Sequence, residues 1–174
     1  ELPSEKIIET FSKYSGIKIH NLVVCILDRP RHYNLIKKVR ATGARIKLIS
    51  DGDVSAVIAT SIDDSGIDLY MGTGGSPEGV LAAAALSCLG GQMQTRLVLD
   101  NKQSERAKKL GVKDLAKKFN IDEMIKGDVI FCATAVTNGD LVKGIVDQGD
   151  SFEASTFALH KDFKVNKKVT NNHK

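Results

Sequence analysis

Three short polar clusters hold the residue types that could do chemistry. In Asp28-Arg29-Pro30-Arg31-His32 two guanidinium groups flank a proline, which stiffens the backbone and makes the segment extended or turned. Two arginine forks on a stiff loop suit a phosphate, because each planar fork can bind its oxygens in a bidentate way. Asp28 or His32 could orient them. The same residues would also make a solvated basic loop paired to nearby carboxylates. In Asp51-Gly52-Asp53 the glycine lets two carboxylates turn into one site. There they could accept from sugar hydroxyls or ligate a hard cation, although Asp and Gly are equally the residues of an ordinary turn.

The third cluster runs Gly72-Thr73-Gly74-Gly75-Ser76-Pro77-Glu78-Gly79 and imitates nucleotide-binding motifs without being one. Pro77 stands where a Rossmann fingerprint needs its third glycine, and Val80 and Leu81 follow Gly79 where a P-loop needs Lys and Ser or Thr. The segment does specify a helix start, with Ser76 as N-cap, Pro77 in the first position and Glu78 in the first turn. Amide groups exposed there could hold a phosphate or sugar oxygen. Glu78 would either complement the helix dipole or ligate a metal. Other chemistries lack their residues. There is no Gly-x-Ser-x-Gly and no His-Glu-x-x-His, and the four His, at 20, 32, 160 and 173, are too scattered for a metal cluster. Cys25, Cys88 and Cys132 each lie in an apolar segment without a C-x-x-C, which predicts buried free thiols in a reducing cytosol.

The elements that must position these clusters follow from hydrophobic spacing. Residues 3–15 have helical periodicity through Ile7, Ile8 and Phe11, with Ser4 as cap. Leu22–Leu27 is a short aliphatic run that suits a strand buried on both faces. A helix is predicted over His32–Thr42 with Gly43 as its stop, and a strand over Arg45–Ile49. Val54–Thr60 is ambiguous. Ile67–Met71 is a strand and Val80–Leu89 an alanine-rich helix closed by Gly90-Gly91. Further on, Gln94–Leu99 is a strand, Ser104–Leu110 a short helix and Asp114–Asn120 another helical turn. Asp128–Val136 is a strand ending in the turn Thr137-Asn138-Gly139-Asp140, and residues 141–160 hold one or two more strands. Alternating strands and helices imply an α/β domain with a layered mixed sheet flanked by helices. Each polar cluster then follows a strand, and in open α/β sheets sites gather outside the carboxyl ends of strands.

Composition excludes several classes. The 174 residues carry 25 Lys+Arg and 21 Asp+Glu, a formal charge of +4. Residues 161–174 hold five Lys and one Asp, so this basic tail accounts for the whole excess and the remainder is neutral. A neutral body with 5% aromatics and no Trp argues against nucleic acid as a partner. The longest apolar run, Val80–Leu86, is far below the roughly 20 residues of a membrane span. No signal peptide is visible, and a cytoplasmic location is expected. The chain begins at Glu1 rather than Met, as expected of a processed or excised piece.

In order, Asp28-Arg-Pro-Arg-His32, Ile49-Ser-Asp-Gly-Asp-Val54 and Gly72-Thr-Gly-Gly-Ser-Pro-Glu-Gly-Val80 resemble the class II fructose-1,6-bisphosphatases of bacteria. The runs Ala82–Gly91 and Ala133–Gly139 continue the likeness, which covers most of residues 18–160; Ala135 departs from it, standing where the family commonly has glycine. The resemblance implies a sugar-phosphate phosphatase of the inositol-monophosphatase-like superfamily, dependent on Mn2+ or Mg2+, acting on fructose 1,6-bisphosphate and in some members on sedoheptulose 1,7-bisphosphate. It implies substrate binding by Arg29, Pro30, Arg31, Asp51, Gly52, Asp53 and Gly75, the arginines holding the phosphate that is not cleaved, and metal ligation by Glu78. It also implies a homo-oligomer. The family's Asp-Pro-x-Glu-Gly-Thr segment, which helps activate the attacking water, has no match here. The expectation is therefore a C-terminal half with no catalytic residue of its own: a helical lead-in over 1–20 from a missing N-terminal half, an α/β sugar-phosphate-binding domain over 21–160 and the basic tail over 161–174. Such a chain is expected to be inactive alone. A stand-alone sugar-phosphate-binding module and an inositol or bisphosphonucleotide hydrolase are the competing readings.

Overall fold

The computed structural model describes residues 2–162 and 165–173. Its organising element is β1 (Val23–Leu27), buried from Val24 to Leu27. The strand is central in a parallel sheet. On one side β2 (Arg45–Ile49) pairs with it from Val23↔Arg45 to Leu27↔Ile49, and on the other β3 (Leu69–Tyr70) pairs with Val24 and Cys25. Parallel pairing needs a crossover between successive strands. Here α2 (Tyr33–Ala41) joins β1 to β2, and α3 (Asp53–Ala59) lies between β2 and β3. That requirement resolves the ambiguous 54–60 segment as a helix, with Ala56, Val57 and Ile58 buried.

Alternation along β1 distributes the core. Val24 and Ile26 face α1 (Ser4–Ser15) and α2, in a cluster with Ile8, Leu22, Ile36 and Val39. Cys25 faces the other way, toward Ala56 of α3 and Ile67. The 1–20 segment thus packs on the same core as β1. Burial pushes the Cys25 thiol up from its ordinary value. The helix α4 (Ser76–Leu89) is apolar on all sides, and its buried Ala82, Ala83 and Ala85 let neighbours approach closely. It packs on α3 and α6 (Ile121–Met124), and its other side meets the antiparallel sheet of β6 (Ile130–Thr134), β8 (Phe152–His160) and β7 (Val146–Asp147). Ile58, Ala85, Phe131, Phe157 and Leu159 form that interface. The layers run helix, parallel sheet, helix, antiparallel sheet, so the expected α/β class holds. Parallel and antiparallel pairing are partitioned between separate sheets.

Several local expectations change. The N-cap of α1 is Pro3, with Ser4 inside the helix donating to Glu5, because capping needs a side chain that reaches back to the first free amides. The helix after residue 100 begins earlier, as α5 (Asn101–Lys109), since Asp100 and Gln103 form a reciprocal capping box. Of the strand expected over 94–99, only β4 (Gln94–Arg96) forms. Its antiparallel partner is β5 (Lys118–Asn120), where a helical turn was expected: Phe119 pairs opposite Thr95, and the helix starts one residue later under an Asn120–Glu123 capping box. Within the segment taken as a basic tail, β9 (Val165–His173) pairs along the whole of β8. Cys132 is exposed rather than buried because Phe131 takes the core side of β6 and the next residue must face out. No helix among the described residues is long and apolar enough to cross a membrane.

Replacing Ile26 with alanine removes a fully buried side chain from the central strand. We expect a loss of about 2–5 kcal/mol, read as a lower urea midpoint with an unchanged slope.

Candidate active site

Because β1, β2 and β3 are parallel, the segments that leave their carboxyl ends emerge along one edge of the sheet. These are 28–32, 50–52 and 71–75, the three polar clusters. Pro30–His32 forms a 3-10 turn closed by the His32 amide donating to the Arg29 carbonyl at 2.8 Å. The turn sends His32 back under the edge, where it is 2% exposed.

Both ring nitrogens of His32 are used. Nδ1 lies 2.8 Å from the Leu27 carbonyl oxygen, and Nε2 accepts from the Thr73 amide at 2.9 Å. A carbonyl can only accept and an amide N–H can only donate, so the ring is the neutral tautomer with its proton on Nδ1. Arg31 completes the grip, its Nε donating to the Thr73 carbonyl at 2.8 Å. Thr73 is held at both ends by two consecutive residues of another loop. Gly72 sits tightly, since a Cβ there would stand 3.3 Å from His32 Cε1 and 3.3 Å from the Tyr70 hydroxyl, and one of them would have to give way by a few tenths of an ångström.

Arg29 braces the neighbouring segment, donating from Nη2 to the Ser50 carbonyl at 2.6 Å and from Nη1 to its own neighbour Asp28 at 3.2 Å. Gly52 takes a positive φ of 81° as the N-cap of α3, a conformation that favours glycine. Asp51 Oδ1 accepts from the Gly52 amide at 2.8 Å, and Asp53 Oδ1 from the Val54 amide at 3.0 Å. Asp53 Oδ2 is left facing the glycine-rich segment: a Cβ on Gly74 would meet it at 2.9 Å. The N-cap of α4 is Gly75, with Ser76 the first helical residue, one position earlier than the sequence predicts. The Glu78 carboxylate folds back over Gly75 so closely that any Cβ there would collide with it.

A cavity of about 450 Å³ opens between the glycine-rich segment and the β4–β5 pair. Asp53, Gly75 and Glu78 line it together with Gly72, Thr73 and Tyr70; Val98, Phe119 and Met124 add apolar lining, and Gln94, Thr95 and Arg96 polar lining. Of the residues singled out in the sequence, the structure therefore brings Asp53, Gly75 and Glu78 into one cavity. Arg31 adjoins it through Thr73. Arg29, Pro30, Asp51 and Gly52 lie along the same sheet edge but do not line the cavity. No group of three or more His, Cys, Asp or Glu among the described residues could hold a metal ion. Asp53 and Glu78 supply two carboxylates, not a closed coordination shell, so no chemical step through a metal is derived for this chain by itself.

Tyr70 was missed by sequence reasoning; the only signal was its place at the end of the strand before the glycines. Burial and then the charge of Asp53 push its phenol from 10.0 up to about 12.

Together these features define an α/β protein with a polar cavity built from loops at the carboxyl edge of a parallel sheet. The model of the bacterial fructose-1,6-bisphosphatase family, glpX-encoded, matches residues 1–173, and the chain belongs to this family. It is 35% identical over 173 residues, 91% of this chain and 50% of the relative, to a protein of Synechococcus sp. strain JA-3-3Ab named D-fructose 1,6-bisphosphatase class 2/sedoheptulose 1,7-bisphosphatase. A protein of the same name from Synechocystis sp. is 40% identical over 141 residues, 73% of this chain and 41% of that one. The chain spans about half the length of the curated relatives it matches.

Two outcomes follow from this geometry. His32→Phe keeps the ring's shape but leaves the Thr73 amide and Leu27 carbonyl unpaired, at about 1–3 kcal/mol each. We expect a lower urea midpoint and faster hydrogen exchange at the Thr73 amide. Tyr70 has a folded-state value above its unfolded one, so its contribution to stability is whole below pH 10 and is lost as pH rises from 10.0 toward 12. Unfolding midpoints should therefore fall more steeply across that window in the wild type than in Tyr70→Phe.

Proposed function

We propose that this chain supplies the substrate-holding part of a metal-dependent fructose-1,6-bisphosphate 1-phosphatase, which releases fructose 6-phosphate and phosphate and serves gluconeogenesis. The observation that carries this reading is the joining of the arginine loop to the glycine-rich loop through both ends of Thr73. A bisphosphate has anionic groups at two separated points, so an enzyme for it needs two anchoring regions at a fixed spacing. In this assignment Arg29 and Arg31, around Pro30, hold the phosphate that is not cleaved. Arg31 commits only Nε to Thr73, and its terminal nitrogens make no hydrogen bond among the described residues. Asp51 and Asp53, turned by Gly52, accept from sugar hydroxyls, and Gly75 contacts the substrate through its backbone. Glu78 is one ligand of a divalent ion, Mn2+ or Mg2+, whose role when bound is to polarise the scissile phosphoryl group and activate water. The remaining carboxylate ligands belong to the half of the longer relatives that this chain does not cover, and the assembled enzyme is a cytoplasmic homo-oligomer. The relatives' second named activity makes sedoheptulose 1,7-bisphosphate a further substrate of the complete enzyme.

The 174-residue chain should release no phosphate from fructose 1,6-bisphosphate in the presence of Mn2+; turnover would refute the division of labour. It should nevertheless bind fructose 6-phosphate, and Arg31→Ala should weaken that binding by about 10- to 100-fold, as loss of a charge-assisted hydrogen bond does. Unchanged affinity in calorimetric titration would remove the arginines from the phosphate site.

A further inference from the structure

Outside the three clusters, the polar side chains lining the cavity are Tyr70 and, on β4, Gln94, Thr95 and Arg96; Tyr70 is the one beside the glycine-rich segment. Tyr70 ends β3, and its ring packs against two groups of buried residues: Val57, Ala82 and Leu86 on one side, Cys25 and Ala56 on the other. Its hydroxyl lies close to Gly72, and both residues line the cavity, while Asp53 Oδ2 lies against Gly74 of the same segment. Two oxygens of different chemistry thus sit against alternate glycines, one on each side of the clamped Thr73. Among the described residues the phenol makes no hydrogen bond, although it is half-buried.

We propose that the Tyr70 hydroxyl is a specificity-determining substrate contact, donating to a sugar hydroxyl that itself donates to the Asp53 carboxylate. This rests on the sugar-phosphate reading above. The pairing follows from donor and acceptor inventories. An ionised carboxylate only accepts, whereas a neutral phenol can donate. A sugar hydroxyl does both, so it can satisfy the two groups at once. A phosphate oxygen only accepts and carries charge, so Asp53 repels it from the same position. The pair therefore selects a hydroxyl and excludes a bare anion. Burial and the Asp53 charge keep the phenol protonated throughout the physiological range, so the donor is always present. Because the ring is anchored on two sides, little side-chain freedom is lost when the hydroxyl engages a ligand.

The test compares fructose 6-phosphate and inorganic phosphate, titrated calorimetrically into the wild-type chain, Tyr70→Phe and Arg31→Ala. Tyr70→Phe removes one oxygen and should leave the melting temperature at neutral pH unchanged. Loss of a neutral hydrogen bond should weaken fructose 6-phosphate by about 3- to 12-fold and leave inorganic phosphate unaffected. Adding Asp53→Asn should produce less than the sum of the two separate effects, since both act on one hydroxyl. Undiminished fructose 6-phosphate binding by Tyr70→Phe, while Arg31→Ala is weakened, overturns this proposal and leaves the phosphate assignment standing. Equal weakening of both ligands by Tyr70→Phe also overturns it, because a sugar contact cannot affect bare phosphate. If the wild-type chain binds no fructose 6-phosphate, the sugar-phosphate reading falls and this inference falls with it.

Discussion

The site depends on the backbone of one residue. Thr73 has its N–H held by a buried, neutral His32 and its C=O held by Arg31, and these two residues belong to the loop after a different strand. Glycines are needed around Thr73 for close approach, and glycine-flanked backbone is ordinarily free to move. The His32–Arg31 grip removes that freedom where precision matters. It also ties the grip to the sheet, since His32 Nδ1–H reaches back to Leu27, the last residue of β1. The rigidity of the central strand is thereby passed through one imidazole to the start of α4.

The layers on either side explain why that start is in the right place. α4 is alanine-rich because it is enclosed by α3 and α6 on one side and the antiparallel sheet on the other, where larger side chains would force the layers apart. Gly75 serves as cap and close-contact point at once: the Glu78 carboxylate can lie over the first turn only because residue 75 has no side chain. The same carboxylate lies in the first turn, where it complements the helix dipole.

Much of this was legible in the sequence, for identifiable reasons. The aliphatic Val23–Leu27 run, the β2 segment Arg45–Ile49 and the α2 periodicity are strong local signals, and all three elements appear close to their expected bounds. Once β1, β2 and β3 are parallel, convergence of the three clusters follows from topology. What was not legible depends on contacts distant in the chain. Lys118–Asn120 becomes a strand because Gln94–Arg96 lies beside it. Val165–His173 pairs with β8 despite a composition that suggested a solvated tail. Tyr70 looked like one more strand residue, and only the position of α3 beside it reveals a residue that lines the cavity. The separation of Asp53 from Asp51, one lining the cavity and one not, is set by the positive φ of the glycine between them.

The charge distribution of the cavity constrains any ligand. Arg29 and Arg31 stand on the loop outside it, while Asp53 and Glu78 line its wall together with Arg96 of β4. A phosphate entering beside both carboxylates would meet like charge in a partly desolvated space, where such repulsion is least screened. It needs compensating positive charge there, whereas a phosphate beside Arg29 and Arg31 meets guanidinium groups directly. The arginine loop and the carboxylate-lined wall are therefore inequivalent surfaces for an anion. The first offers unopposed positive charge, and the second admits an anion only to the extent that positive charge offsets its two carboxylates.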